Sequence, residues 1–330
     1  MASPSLLVAA DRLARLLAGA GGPVVADPSR SDLEFEAEVV PRPLARRPAP
    51  AEAWAVDGGQ ALVADARCVQ LVVTRAARVR FAGGECVLEE EGEAQAWLLG
   101  AGEERAAAAR LAQAGLGVAP DAPVDVNLLR DHGEWVEAAR CVAEAAAGAL
   151  VLVDGDLRPD LRIPADRVTA LLEDARSRGV VVAGVTKHSS LARGGAPLVG
   201  QLELQAAAAL GPRALWWASV ARTRPGSGAG PDLRVVAARL DPDARFAFRV
   251  DLPAWADPEA TLGSLAALCD DAAFPGYPYP LSVADRLASC PRWLRDDVRL
   301  DLDDHLDRAG VPVEVRERAL ADRHALMERA

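Results

Sequence analysis

Lysine is almost missing from this chain: Lys187 is the only one, although lysine and arginine together number 37. Tyrosine is nearly as scarce, and Tyr277 and Tyr279 share one tetrapeptide. Such usage fits strong GC pressure on codons, which replaces lysine by arginine wherever only positive charge is needed. A surviving lysine can do what arginine cannot, acting as a compact point charge beside a phosphate. Asn127 and Ile163 are equally solitary, so rarity alone assigns Lys187 no role. The five cysteines (Cys68, Cys86, Cys141, Cys269, Cys290) are scattered, odd in number and never spaced as CxxC. That excludes a disulfide framework and a zinc ribbon, and fits reduced apolar residues of a cytoplasmic protein. No apolar run reaches the roughly 18 uncharged residues of a membrane span. A net charge of −11 argues against a simple electrostatic binder of nucleic acid, but it does not exclude a nuclease, since a basic stripe can sit on an acidic body. The Gly-rich stretch 222–231 lacks the GK[ST] ending and following helix of a phosphate-binding loop, so the chain carries no ATPase motif there.

What remains is ordinary for a globular protein: 330 residues, 51% hydrophobic and 26% charged, enough for one large α/β domain or two closely packed ones. Residues 6–17 read as an amphipathic helix rather than a signal peptide, because Asp11, Arg12 and Arg15 interrupt the apolar residues. Runs 53–56, 61–64, 69–74 and 77–81 read as antiparallel strands, with Asp57-Gly58-Gly59 as a turn or bulge. Alanine-rich residues 134–149 favour helix, 149–153 a buried strand, 165–178 a helix and 179–185 another buried strand. Strand, helix, strand makes a βαβ unit, so part of the sheet is expected to be parallel. Further helices are predicted at 198–210, 258–272, 280–289 and 312–328, with strands at 214–220, 233–240 and 245–250.

Carboxylates punctuate this pattern. Asp57 follows the apolar run Ala53-Trp54-Ala55-Val56, and Asp154 follows Leu150-Val151-Leu152-Val153. Glu137 lies on the helix before the second of these strands, with Glu134 one turn away as the substitute. A lone Asp-Gly is usually a turn. Two of them, each directly after an apolar strand, point to carboxylates converging at one edge of a sheet. Like charges about 4 Å apart repel by roughly 4 kcal/mol at an effective dielectric near 20. Such a group is stable only with protons or a cation between its members. Hard oxygen ligands favour Mg²⁺ or Mn²⁺, and two such ions could clamp the attacking and leaving oxygens of a phosphodiester.

Four segments, AVDGG (55–59), LVDGDL (152–157), GVTKHSSL (184–191) and PGYPYPLSVAD (275–285), occur in an order that resembles the NurA family of DNA nucleases. The resemblance implies an α/β, RNase H-like fold: a mixed antiparallel and parallel sheet flanked by helices, with additional N- and C-terminal helices. The expected division is a helical or extended region at 1–50, the nuclease domain at 51–290 and a helical extension at 291–330. The resemblance also implies a metal-dependent deoxyribonuclease using Mn²⁺ or Mg²⁺, acting on single- and double-stranded DNA. It would be a 5′–3′ exonuclease and single-strand endonuclease working in DNA end resection and repair. A cytoplasmic homodimer partnered by a HerA-type hexameric ATPase is implied, with no membrane association. Carried over by motif, Asp57, Glu137 and Asp154 are metal ligands and Tyr277 is the first tyrosine of the YPYP segment. Asp285 stands where the family commonly has histidine, and Gly59 where serine is common. A carboxylate at 285 can still ligate a hard cation. Lys187, following a buried strand, would orient or neutralise the scissile phosphate.

Two rival readings use parts of the same pattern. In a haloacid-dehalogenase-type phosphatase, Asp154-Gly155-Asp156 would be the nucleophile motif, Thr186 the strand-end hydroxyl and Asp270-Asp271 the late acidic pair. It leaves Asp57 and the YPYP segment without a role. The other rival is a catalytically inactive interaction subunit of a DNA motor, which the departure at Asp285 keeps open. Asp156 reads as a partner of the ligands or a cap. His188 reads as a loop residue, and His132, His305 and His324 show no ligand spacing.

Overall fold

The computed structural model describes residues 3–17, 22–114, 117–118, 123–158, 160–224 and 230–320. Residues 225–229 of the Gly-rich stretch, the end of the helix expected at 312–328 and His324 lie outside the described residues. In chain order the elements are α1 (Pro4–Leu17), β1 (Val25–Ala26), β2 (Leu33–Phe35), β3 (Arg42–Pro43), β4 (Glu52–Asp65), β5 (Val69–Ala82), β6 (Glu85–Glu91), β7 (Gln95–Gly100), α2 (Glu104–Gln113) and α3 (Val126–Glu144). There follow β8 (Leu150–Asp154), α4 (Ala165–Ser177), β9 (Val181–Thr186), β10 (Ala192–Arg193), β11 (Ala196–Pro197), α5 (Leu198–Leu210), β12 (Trp216–Thr223), β13 (Leu233–Arg239) and β14 (Phe248–Pro253). Helices α6 (Pro258–Ala266), α7 (Tyr279–Ala288), α8 (Arg292–Arg308) and α9 (Val313–Leu320) complete it.

One 11-stranded sheet organises the molecule, in the order β2-β12-β13-β14-β9-β8-β4-β5-β6, with β3 on β12 and β7 on β5. Only β4/β8 and β8/β9 are parallel, as the βαβ unit requires. The central strand β8 is apolar from Leu150 to Val153, before Asp154 ends it, because both of its faces are covered. Leu150 and Leu152 pack toward α6 and α7, with Ala53, Ala55, Ala183 and Leu281. Val151 and Val153 pack toward α3 and α4, with Leu128, Trp135, Ala138 and Leu172. Helix α3 starts where Asp125 accepts the Leu128 N–H at 2.9 Å, a side-chain cap on an otherwise orphaned donor. No helix is long and apolar enough to cross a membrane among the described residues.

The structure corrects several expected boundaries. Asp57-Gly58-Gly59 is no turn: β4 runs unbroken through it for 14 residues, and its bulge comes later, between Leu62 and Ala64. Pairing with β5 on one side keeps the chain extended where glycine alone suggested a break. Likewise 69–74 and 77–81 form the single strand β5. Helix α3 begins well before the alanine-rich stretch, and α6 ends at Ala266 rather than at 272. Strands β6 and β7 and helix α2 were not foreseen, since glutamate-rich 85–91 lacks clean alternation. Residues 33–35 and 42–43 of the N-terminal region pair with β12 and so extend the main sheet.

Candidate active site

The parallel register brings the two Asp-Gly steps level. Val56 lies opposite Val153, so Asp57 and Asp154, one residue further on each, leave adjacent strands at the same height. Asp154 is paired with Val185 of β9, which places Lys187 just beyond the next strand end. Helix α7 packs across β4 and presents Asp285 from the same side. One carboxylate oxygen from each of Asp57, Asp154 and Asp285 lies within 4.8 Å of the others. Lys187 sits among them: its Nζ donates to Asp154 Oδ2 at 2.7 Å and to Asp285 Oδ1 at 3.2 Å. The same ammonium lies 5.0 Å from the centre of the Tyr277 ring.

The helical glutamate that approaches this group is Glu134. A Cβ placed on Gly58 would lie 2.4 Å from Glu134 Oε1, so the carboxylate rests against backbone beside Asp57, in space that any other residue would fill. Arg130 donates to Glu134 at 2.8 Å from one turn earlier. Glu137 points elsewhere. Its two oxygens accept from Arg140 at 2.9 and 3.0 Å, and Arg78 lies 3.6 Å away. Of the two α3 glutamates, the structure therefore brings Glu134, and not Glu137, to Asp57. Gly59 also has a packing reason: a Cβ there would come within 2.0 Å of the Ala288 carbonyl, so α7 rests directly on β4. A serine at this position would push that helix away.

The electrostatics are those of a group with too many negative charges. Burial, then the charges of Asp154 and Glu134, push Asp57 up to about 9. Burial pushes Glu134 up to about 8, with Asp131 and Asp154 adding to it and Arg130 opposing. Asp57 Oδ1 accepts the Gly58 N–H at 2.7 Å, but Oδ2 is buried with no partner. Partial burial pulls Lys187 down, yet the hydrogen bond and charge of Asp154, then Asp285 and Asp57, hold it above its ordinary value. Tyr277 is 1% exposed, and its hydroxyl also lacks a hydrogen-bond partner. Burial, with Asp154 and Asp57 nearby, keeps that phenol protonated far above the usual tyrosine range. Clustered carboxylates with an orphaned buried oxygen form an all-oxygen donor set, which fits a hard divalent cation better than a soft one.

Asp156 takes another path. It lies 3.4 Å from Arg249 and 3.8 Å from Arg30, in a network with Asp27, Asp32 and Asp251. Asp27 and Arg30 gave no sequence signal, because Arg249, which pairs with Asp27, and Asp251, which lies 3.6 Å from Arg30, are more than two hundred residues away in the chain. His132 bonds the Ala114 carbonyl at 3.1 Å, a structural role.

Comparison with known proteins now bears on this geometry. A NurA domain model matches residues 221–290, the segment that supplies Tyr277 and Asp285. Comparison with curated protein sequences gives no match. Among solved structures the fold is similar to that of the NurA nuclease from Sulfolobus solfataricus, at TM-score 0.58 and 14% identity, covering 92% of this chain and 94% of that one. A second NurA structure matches at TM-score 0.45 and 9% identity, covering 74% of this chain and 86% of that one. The catalytic domain of human endonuclease V matches at TM-score 0.42 and 16% identity, covering 92% and 99%. The mixed sheet flanked by helices is of the RNase H-like class, as the sequence led us to expect.

Proposed function

We propose that this NurA-family protein is a divalent-metal-dependent deoxyribonuclease, with Asp57, Asp154 and Asp285 as ligands and Glu134 in the place expected of Glu137. The observation that carries this reading is the meeting of three carboxylates from β4, β8 and α7 around one lysine, beside a buried carboxylate oxygen with no partner. A bound Mn²⁺ or Mg²⁺ would supply activation of water and neutralisation of the phosphodiester. The chain's own residues do the rest. Burial and the neighbouring carboxylates push Asp57 and Glu134 up to about 9 and 8, so both would have to lose protons to serve as ligands, and metal affinity should rise with pH. Lys187, held between Asp154 and Asp285, would offer its ammonium to a phosphate oxygen. A neutral Tyr277 phenol can donate a hydrogen bond and never repels the phosphate. Arg130 fixes the orientation of Glu134.

The same proposal extends to 5′–3′ exonuclease and single-strand endonuclease activity on single- and double-stranded DNA, in end resection and repair. It includes a cytoplasmic homodimer and a HerA-type ATPase that feeds it DNA; the acidic chain and its lack of a phosphate-binding loop motif support dependence on such a partner. The phosphatase reading needs Asp156 and Asp270-Asp271 at the site. Asp156 is engaged by Arg249, and the late pair lies outside the carboxylate cluster found among the described residues. Incubating 5′- and 3′-end-labelled single- and double-stranded DNA with the protein in Mn²⁺, Mg²⁺ or EDTA tests the proposal. Metal-dependent shortening from the 5′ end is expected; cleavage in EDTA, or none in either metal, would sink it.

A further inference from the structure

Beside the carboxylates lies a pocket of about 580 Å³ that begins at Thr186 and Lys187 and is walled by Leu191, Val199, Phe246 and Phe274. We propose that it takes one unstacked nucleobase of the strand being cut, the base next to the scissile phosphate; this rests on the nuclease reading above.

Four features favour this occupant. The pocket and the carboxylate cluster share Lys187, so a chain whose phosphate reaches the ammonium has its neighbouring base at the pocket mouth. Most of the wall residues are apolar, matched to the flat faces of a base, while His188, Glu203 and Arg249 add polar groups for its edge. Phe246 and Phe274 are 49% and 44% exposed, a large uncovered aromatic area for a chain with five phenylalanines. Phe274 is not loose: it meets Tyr277 edge-on at 5.9 Å and Phe248 at 6.3 Å, so the aromatic surface is continuous with the ring beneath Lys187. Finally, Thr186 on the pocket wall has a buried hydroxyl with no partner. A hydroxyl can donate to or accept from the polar edge of any base. Base–aromatic stacking tolerates every sequence, because each base has a π-face. Because a base must leave its stack to enter, the pocket favours single strands and frayed ends over intact duplex.

The test measures binding of single-stranded oligonucleotides by fluorescence anisotropy in EDTA, so that no cleavage intervenes. Each oligonucleotide carries one abasic position, moved along the strand, and cleavage of the intact strand is followed in parallel with Mn²⁺. One abasic position should weaken wild-type binding about tenfold, the loss of one stacked base. Phe246→Ala with Phe274→Ala should bind the intact strand about tenfold more weakly and no longer register that abasic position. Phe246→Trp should restore it. If the wild type binds and cuts DNA but tolerates every abasic position equally, the pocket proposal falls and the nuclease reading stands. If it neither binds nor cuts, both fall. A change in oligomeric state of the double variant on sedimentation would assign the two rings to a contact between copies and overturn the proposal.

Discussion

Asp154 and Asp156 are two residues apart in one segment, yet they belong to clusters of opposite kind. Asp154 joins Asp57, Glu134 and Asp285, where carboxylates outnumber the cations Lys187 and Arg130 and one buried oxygen has no partner. Asp156 joins Asp27, Asp32 and Asp251, four carboxylates nearly balanced by the three guanidiniums of Arg30, Arg158 and Arg249. In that second cluster Arg249 grips Asp251 through two bonds, at 2.8 and 3.0 Å, and reaches Asp27 at 3.0 Å. Despite the upward pull of burial, hydrogen bonds from Ser190 and Ser29 and the charge of Arg249 hold Asp27 below its ordinary value. Burial drives Asp57 up, and Asp156 as well, though there Arg249 and Arg30 oppose it. A balanced buried cluster holds a fold together. An unbalanced one awaits a charge from outside.

Removing a carboxylate from the unbalanced cluster should have the largest effect on function and the opposite effect on stability. Asp57→Asn is expected to lower DNA cleavage by roughly 100-fold or more, on the scale of losing a group that acts on the transition state. Without metal the same variant should melt higher than wild type at pH 8, by about 2–4 °C. The sign follows from proton linkage. Asp57 titrates near 9 in the fold against an ordinary 3.8, so the native protein keeps a proton that the unfolded chain releases. Stability then falls as pH rises through that window, and asparagine removes the loss. Melting curves at pH 6 and pH 8, with and without Mn²⁺, check it; a lower melting temperature for the variant in EDTA would show that Asp57 is no strained ligand.

In the balanced cluster the expectation reverses. Arg249→Met leaves Asp27 and Asp251 buried with their main cation gone, which should cost about 3–5 kcal/mol in unfolding free energy. Cleavage per folded molecule should fall far less than in Asp57→Asn, although Arg249 also lines the pocket beside Lys187. Urea titration together with active-site-normalised rates reads both. A large rate loss with unchanged stability would mean that the two clusters are one site.

A smaller effect is expected at the cation the unbalanced cluster already has. Lys187→Arg keeps the charge but replaces a compact ammonium, held between two aspartates and over Tyr277, by a broad planar fork. A loss of about tenfold in turnover is expected, roughly 1.4 kcal/mol of transition-state stabilisation. Steady-state rates on a labelled single strand measure it, and full activity in the arginine variant would mean that position 187 needs only charge.

Much of this comparison was legible in the sequence, and its limits have physical causes. The βαβ unit was readable because β8 and β9 are apolar runs of the right length around a helix, and their ends placed Asp154 and Lys187. Asp57 was singled out for a partly mistaken reason. Glycines suggested that its strand stopped there, whereas pairing with β5 carries β4 on and the glycines serve close approach by Glu134 and Ala288. The balanced cluster was invisible, since charge pairing across more than two hundred residues leaves no local pattern. Helix α8 was absent from the helices read by periodicity because none of its residues is buried, so it lacks the apolar stripe that such reading needs.

The finest distinction lies within one helix. Glu134 and Glu137 are three residues apart on α3, and the Glu-to-strand spacing expected of a ligand suits both. The structure separates them by what each side chain meets. Glu134 is 3% exposed against Gly58, beside Asp57. Glu137 is caught in a half-exposed lattice of Arg78, Arg140 and Glu90. Removing the charge of Glu137 should therefore cost no more than about 1 kcal/mol, since Arg78 keeps Glu90 and Glu144 as partners. Glu137→Gln is expected to cleave DNA at the wild-type rate and to bind Mn²⁺ with unchanged affinity. Glu134→Gln should lose most of its activity and melt no lower in EDTA, since its neutral form is the one the fold prefers at neutral pH. Calorimetric titration with Mn²⁺ beside turnover on both variants decides between them. Weakened metal binding in Glu137→Gln, with Glu134→Gln unaffected, would move the helical ligand one turn along α3 and reopen the geometry drawn from Gly58.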